Sequence, residues 1–207
     1  MGPAYTHRAD GTGAARLLFS SDTFDVGQLE ASRDGRWLIM RTAPVGARTP
    51  DIVGLKTGET KPVPLVNSPA PEFFPSLSPD GRWLAYTSAE SGQAEVYVRP
   101  FPETSSAKWQ ISTAGGSEPV WASTGRELLY LNGKVEMVSA EIHAGPSFSV
   151  GGQHILFPAA QFARPGPIPS FSLSPDDKRF LMVREGDGTQ QSELIVAENW
   201  LQELKGK

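Results

Sequence analysis

Short apolar runs, each ended by a turn rich in Gly or Pro, recur along the whole chain. The segment 95–99 reads Glu-Val-Tyr-Val-Arg, in which polar and apolar residues alternate as in a strand with one buried face. The segment 82–86, Arg-Trp-Leu-Ala-Tyr, is almost wholly apolar after its first residue and is typical of a buried strand. No long stretch with the period of an amphipathic helix is visible before residue 199. The pattern therefore predicts an all-β protein.

One turn-and-strand unit recurs four times, at 32–41, 78–87, 122–130 and 174–183. The second copy reads Ser-Pro-Asp-Gly-Arg-Trp-Leu-Ala-Tyr-Thr. Proline presets φ, aspartate can accept from the backbone that follows it, and glycine tolerates positive φ, so we expect a tight turn between two strands. The turn glycines are 46 and 44 residues apart, and Asp177 takes the glycine position 52 residues further on. A period in the forties indicates one four-stranded β-propeller blade per repeat.

The repeat divides the chain into blades. The predicted blades are 26–66, 72–112, 117–157 and 169–198. Residues 1–25 are interpreted as a partial preceding blade, and residues 199–207 as a short C-terminal helix capped by Asn199. Trp37, Trp83 and Trp121 recur in the strands and are expected in the core between blades. Two architectures stay open: the N-terminal strand completes the last blade of a small ring, or the chain is part of a larger propeller, whose open ends favour capping or self-association.

The repeat at 78–86 resembles the WD40-like repeat of TolB-type propellers, known as the PD40 type. The segments 95–102, 109–112 and 115–121, together with the ending at 199–205, are similar to the C-terminal propellers of bacterial serine/threonine protein kinases. The resemblance covers almost the whole chain. It implies the accessory module rather than kinase activity, because the glycine-rich phosphate loop and the His-Arg-Asp catalytic loop are absent from the sequence. It also implies an extracytoplasmic location, although the sequence itself leaves the compartment unknown.

The charge, the cysteine content and the lengths of the apolar runs exclude several classes of partner and chemistry. The formal net charge of −4 is spread over both signs with no basic stripe, which argues against nucleic acid as a partner. The chain has no cysteine, so disulfides and thiol chemistry are excluded. Its longest apolar runs are far shorter than the ~20 residues that span a bilayer, so we expect no membrane insertion by this chain.

Candidate catalytic and metal-ligating residues do not form recognisable sets. A Gly-x-Ser-x-Gly nucleophile elbow is missing, and the three histidines, His7, His143 and His154, lack both triad context and metal-ligand spacing. The Asp-Gly turns supply one carboxylate each, whereas a calcium loop needs several oxygen ligands. We therefore expect no enzymatic activity, no metal and no cofactor.

The candidate site follows from propeller geometry, in which the first strand of each blade lines the central channel. Aligning the copies places Gln28, Phe74, Glu118 and Ser170 at one position. Two residues on, with the same side-chain parity in a regular strand, are Glu30, Ser76, Val120 and Ser172. The intervening Leu29, Pro75, Pro119 and Phe171 are expected to point the other way. The predicted partner-binding rim consists of Gln28, Glu30, Phe74, Ser76, Glu118 and Ser170; the alternative is that these side chains only face solvent.

The sequence thus predicts a non-catalytic propeller that binds or senses a protein or peptide, as the C-terminal accessory region of a larger bacterial signalling protein. The alternative is a propeller fragment of a hydrolase or lyase, such as the gating domain of a prolyl-oligopeptidase-type enzyme. That alternative predicts a catalytic domain after residue 207 or a histidine-rich channel.

Overall fold

The recurring turn has one backbone geometry in all four copies. In the computed structural model, which describes residues 3–44, 49–145, 147–162, 166 and 168–184, the Ser78 amide donates to the Trp83 carbonyl at 2.8 Å and the Gly81 amide donates to the Ser78 carbonyl at 2.8 Å. The equivalent bonds are present in the other copies. Gly81 has a φ of 70° and Asp177 one of 57°, so the aspartate adopts the left-handed conformation that its position requires.

Each turn joins the first two strands of a sheet, and all the regular elements among the described residues are strands. A first hairpin contains β1 (Ala4–Thr6) and β2 (Arg16–Phe19). The first blade contains β3 (Phe24–Ala31), β4 (Trp37–Pro44), β5 (Asp51–Lys56) and β6 (Val63–Val66). The second contains β7 (Glu72–Leu77), β8 (Trp83–Ser88), β9 (Glu95–Pro100) and β10 (Trp109–Gln110). The third contains β11 (Gly116–Trp121), β12 (Glu127–Asn132), β13 (Glu136–Ala144) and β14 (Phe148–Pro158). A last hairpin contains β15 (Phe171–Leu173) and β16 (Phe180–Met182).

The strands of every blade pair antiparallel in chain order, as the all-β propeller prediction requires. The two hairpins are separate two-stranded sheets within the described residues. The third strand expected for the fourth blade, at 193–197, and the predicted C-terminal helix, 199–207, lie outside the described residues.

Apolar clusters hold neighbouring sheets face to face. One joins Ala4 and Phe19 of the first hairpin to Met40 and Leu55 of the first blade. Three more lie between successive sheets further along the chain. Since each sheet contributes one face to the next cluster, burial of apolar area ties the blades in series.

The tryptophans of the described residues lie in or against these clusters, as expected for Trp37, Trp83 and Trp121. Trp121 is buried between the second and third blades, with Trp83 and Trp109 packed against the same cluster. Trp37 packs against the cluster between the first and second blades. The Trp83 and Trp109 rings meet edge to face at 5.6 Å, an arrangement that aromatic pairs favour.

The first strand of each complete blade is irregular. Its pairing with the second strand shifts register between Val26 and Gln28, between Phe73 and Ser76, and between Ser117 and Val120. Phe74 and Glu118 have positive φ values of 52° and 59°. A bulge of this kind turns the side chains that follow it, so the uniform parity expected for these strands is not kept.

Candidate functional site

The first strands of the blades form one face of the molecule, here named the channel face. Strand β7 contacts both β3 and β11, which places it at the centre of this face. Each first strand is the edge of its own sheet, and an edge strand presents backbone groups that have no partner in the ladder. Whether these backbone groups are already hydrogen-bonded to side chains determines what the channel face can bind.

Side chains of the neighbouring blades cover the edge of β7. The Gln28 Nε2 donates to the Pro75 carbonyl at 3.3 Å, and both oxygens of the Glu30 carboxyl accept from the Leu77 amide, at 3.1 and 3.2 Å. From the other side, the Trp121 Nε1 donates to the Ser76 carbonyl at 3.2 Å. Three consecutive residues of β7 therefore have a backbone group bonded to a side chain of an adjacent blade, which closes this edge to another strand.

The same device joins the third blade to the last hairpin. Glu118 is 2% exposed, and one of its carboxyl oxygens accepts from the Ser170 amide at 2.6 Å and from the Ser170 hydroxyl at 2.5 Å. The Glu118 amide donates to the Thr87 hydroxyl of the second blade at 3.2 Å. At the turn end, the Ser123 amide and hydroxyl donate to the Asp177 carboxyl at 2.9 and 2.5 Å.

A groove with a volume of about 200 Å³ lies beside the hydrogen bonds that cover the edge of β7. Residues of three successive first strands line it, among them Glu30, Ser76, Val120 and Trp121, together with Ser32 and Ser78 of the two adjoining turns. The full lining combines one carboxyl group, the guanidinium of Arg33, three serines and five apolar side chains. The groove is too small for a whole drug-sized ligand, which needs ~300 Å³ or more, and suits one or two side chains.

Glu30 is the acidic group of this groove. Burial raises its pKa to about 7, and the hydrogen bond from the Leu77 amide opposes that rise. Near neutral pH the Glu30 carboxyl is therefore partly protonated, and it can donate as well as accept a hydrogen bond.

The raised pKa predicts a pH-dependent stability. Because Glu30 binds its proton more tightly when folded, its contribution is fully present below about pH 4.5 and is lost as the pH rises through about 7. We expect the free energy of unfolding to fall between about pH 5 and pH 8, with about 1–3 kcal/mol coming from Glu30. Glu72, whose pKa burial also raises to about 7, adds to the same trend.

Urea denaturation of the wild type and of Glu30→Gln over this pH range measures the effect. Glu30→Gln should flatten the pH dependence and should be the more stable of the two at about pH 8, whereas exposed Glu127→Gln should leave the slope unchanged. Equal slopes for Glu30→Gln and the wild type would contradict the assignment.

The predicted rim residues have different positions. Glu30 and Ser76 line the groove. Phe74 lies beside Phe73, with ring centroids 6.0 Å apart. Gln28, Glu118 and Ser170 bond across blade boundaries. Glu118 and Ser170 are buried, so the open rim expected at these two positions is not present, because the bulge turns Glu118 toward the next sheet.

Two features of the site escaped the sequence reasoning. Trp121 was expected only in the core, yet it also lines the groove and bonds to Ser76. The bulges also went unnoticed, although Pro75 and Pro119 signal them, because proline within a strand is confined to edges and bulges. The first strand of the first blade also shifts register, but it has Leu29 at the aligned position, so no proline signals that shift.

A larger cleft of about 400 Å³ lies at the turn end between the second and third blades. Its charged lining includes Asp80, Arg82, Arg126, Glu141 and His143. The Arg82 Nε donates to Asp80 at 2.7 Å and its Nη2 to the Ala144 carbonyl at 2.9 Å, so this guanidinium ties the turn to β13. Within the described ranges, no three His, Asp or Glu side chains are grouped so that they could hold a metal ion.

Solved structures share this arrangement of sheets. TolB from Acinetobacter baumannii superposes with a TM-score of 0.61 over 87% of this chain and 42% of its own, at 16% identity. The chain has a TolB-like β-propeller fold. A TolB structure from Agrobacterium tumefaciens gives a TM-score of 0.57 at 16% identity, over 68% of this propeller and 51% of that chain. A gluconolactonase from Xanthomonas campestris gives a TM-score of 0.56 at 15% identity, over 87% of this chain and 61% of its own.

The propeller thus spans about half the length of these solved chains. No protein-family model matches the sequence, and no curated protein matches it. The similarity to kinase-associated propellers stays a prediction. No helix among the described residues is long and apolar enough to cross a membrane.

Proposed function

We propose that this propeller is a non-catalytic module that binds a protein or peptide through the groove on its channel face. The observation that carries the proposal is the way the groove is built. Three successive blades contribute its lining. The hydrogen bonds that Gln28 and Trp121 donate, and the one that Glu30 accepts, fix those blades relative to one another. A preformed site avoids part of the ordering cost of binding, which favours recognition by a rigid surface.

The covered edge of β7 selects the mode of binding. An exposed edge strand binds a peptide by adding it to the sheet through main-chain hydrogen bonds. Here side chains already occupy backbone groups of Pro75, Ser76 and Leu77, so strand addition at this point is blocked. We infer that the ligand inserts one or two side chains into the groove. Glu30 and the Ser76 hydroxyl provide polar contacts, and Val120 and Trp121 provide an apolar wall.

The kind of protein to which this module belongs is inferred from the resemblance of its sequence to kinase-associated propellers. We propose that it is the accessory region of a larger bacterial signalling protein, in which ligand binding at the channel face is the sensed event. The solved chains that it matches are longer than the part that superposes, which supports the proposal that this propeller belongs to a longer polypeptide or an assembly.

Selection from a random peptide library tests the proposal, with the affinity of selected peptides measured by calorimetry. Ser76→Trp fills the groove, while the backbone carbonyl that bonds Trp121 is kept. We expect Ser76→Trp to weaken binding about tenfold or more, a loss of about 1.4 kcal/mol. Ser76→Ala, which leaves the groove open, should bind nearly as well as the wild type.

Glu59→Trp, at the exposed turn between β5 and β6, is the matched control and should bind normally. Peptides that bind Ser76→Trp and the wild type equally would contradict the proposed site. A library that yields no binder, together with turnover of a lactone or peptide substrate by the purified chain, would favour the enzymatic alternative.

A further inference from the structure

Arg41 is a buried cation at the boundary between the first two blades. It lies on β4 and is 5% exposed. Its side chain crosses β3 at Gly27, where an added Cβ atom would come within 2.0 Å of the Arg41 Nη2. Its Cζ lies 5.8 Å from the ring centroid of Phe73 on the next blade. The guanidinium thus occupies the space that a side chain at position 27 would need, between the first strands of two blades.

This guanidinium has donors without acceptors. Among the described residues, neither the Nε nor the Nη2 of Arg41 has a hydrogen-bond partner. The Oε1 of Gln28, the residue opposite Arg41 in the β3–β4 ladder, is also buried without a partner. Burial lowers the pKa of Arg41, as expected for a charge removed from water. Leaving a buried charge and its donors unpaired is costly, so an unmet acceptor is the simplest reason for keeping an arginine here.

The charge is not part of the repeat. Thr87 and Leu131 take the equivalent position in the second and third blades. Thr87 accepts a backbone hydrogen bond, and Leu131 belongs to an apolar cluster. An uncharged side chain therefore satisfies the packing at this position, and the first blade alone combines an arginine with a facing glycine.

We propose that Arg41 receives a carboxylate group of the ligand bound at the channel face, an inference that rests on the proposed function. The Nε and Nη2 hydrogens lie on one edge of a guanidinium, and this edge binds a carboxylate through two parallel hydrogen bonds. The free Oε1 of Gln28 accepts an N–H of the same ligand. Because the guanidinium is so little exposed, entry of the carboxylate requires the half-buried ring of Phe73 to move.

Acetate is the first probe, and the measurement is the melting temperature of the whole chain in sodium acetate against sodium chloride at equal ionic strength. We expect acetate to raise the melting temperature of the wild type and of Arg36→Met, an exposed arginine at the turn. Arg41→Met and Gly27→Ala should not respond. Gly27→Ala keeps the charge but displaces the flexible end of Arg41. It therefore tests whether acetate binding needs the position of the guanidinium or only its charge.

Arg41→Met also tests the cost of the unpaired charge. Without a ligand it should melt at or above the wild-type temperature, because it replaces a buried cation by an apolar side chain of similar length. An acetate shift that persists in Arg41→Met, or a wild type with no shift, would overturn the inference.

Peptides from the library selection distinguish the two sources of the carboxylate. If the C-terminus binds Arg41, amidation of the peptide should weaken binding to the wild type about tenfold and leave binding to Arg41→Met unchanged. If an Asp or Glu side chain binds, its amide analogue should show this pattern instead. Peptides that depend on Ser76 but not on Arg41 would remove the carboxylate site and leave the proposed function standing.

Discussion

Replacing Leu128 with alanine is expected to lower the free energy of unfolding by about 2–5 kcal/mol. Leu128 lies on β12, is fully buried, and belongs to the cluster that joins the second and third blades. Val98 of the second blade and Trp121 of the third belong to the same cluster. The substitution removes apolar contacts and leaves a cavity between two sheets that are held by packing in series.

Chemical denaturation of the purified chain measures this loss. Leu156→Ala is the matched control, since Leu156 is in the same sheet but 45% exposed, and it should change stability by less than about 0.5 kcal/mol. If the two variants were equally stable, the second and third blades would not share the core described here.

Replacing Glu118 with alanine is the second large expected loss, at about 2–4 kcal/mol. The substitution removes both hydrogen bonds to Ser170 and leaves the amide and hydroxyl of that residue buried without their acceptor. The bond from the Glu118 amide to Thr87 uses the backbone and is kept. The effect should therefore be greatest at the boundary between the third blade and the last hairpin.

Hydrogen exchange of the Ser170 amide, read together with denaturation, locates the damage. We expect the Ser170 amide to exchange faster in Glu118→Ala, and Glu118→Gln, which keeps one acceptor oxygen, to lose less stability. Exposed Glu127→Ala, on the next strand, is the control. Unchanged exchange at Ser170 would show that Glu118 does not join the third blade to the last hairpin.

Local chemistry explains why the blades were predictable. The turn at 78–81 has proline, aspartate and glycine at fixed offsets, and the same two backbone hydrogen bonds form in every copy, including those in which one or two of these residues are replaced. Asp177 replaces the turn glycine in the fourth copy and still adopts the left-handed conformation, with a φ of 57°. The strand at 95–100 was recognisable from its sequence, but its first four residues are all buried, so the single buried face expected from the alternation was wrong. These features depend on residues close in sequence, so a single sequence carries them.

The candidate site was predicted only in part, because it depends on register and on distant neighbours. Glu30 and Ser76, two of the predicted rim residues, line the groove, but the bulge before Ser76 and the positive φ of Glu118 changed which side chains face it. Arg41 could not have been recognised from its own surroundings in sequence. Its burial depends on the lack of a side chain at Gly27, on the neighbouring strand.

Polar residues on the first strands of the first and third blades therefore have a structural role, although in the sequence alone they resemble a binding motif. Gln28, Glu30 and Glu118 all bond to backbone groups of the following sheet. An uncovered edge strand favours aggregation, and polar side chains placed across it prevent another strand from pairing. The same side chains leave between them the groove that we propose as the binding site.

The central claim is that ligand binding takes place at this groove, and nitrogen–proton NMR with a library-selected peptide tests it most directly. Trp121 is one of only five tryptophans, and its indole N–H bonds to Ser76 at the groove. We expect the peptide to shift the signals of the Trp121 indole and the Leu77 amide, while the Trp37 indole signal stays in place. Shifts confined to the outer strands β6, β10 and β14, with the Trp121 indole unchanged, would contradict it.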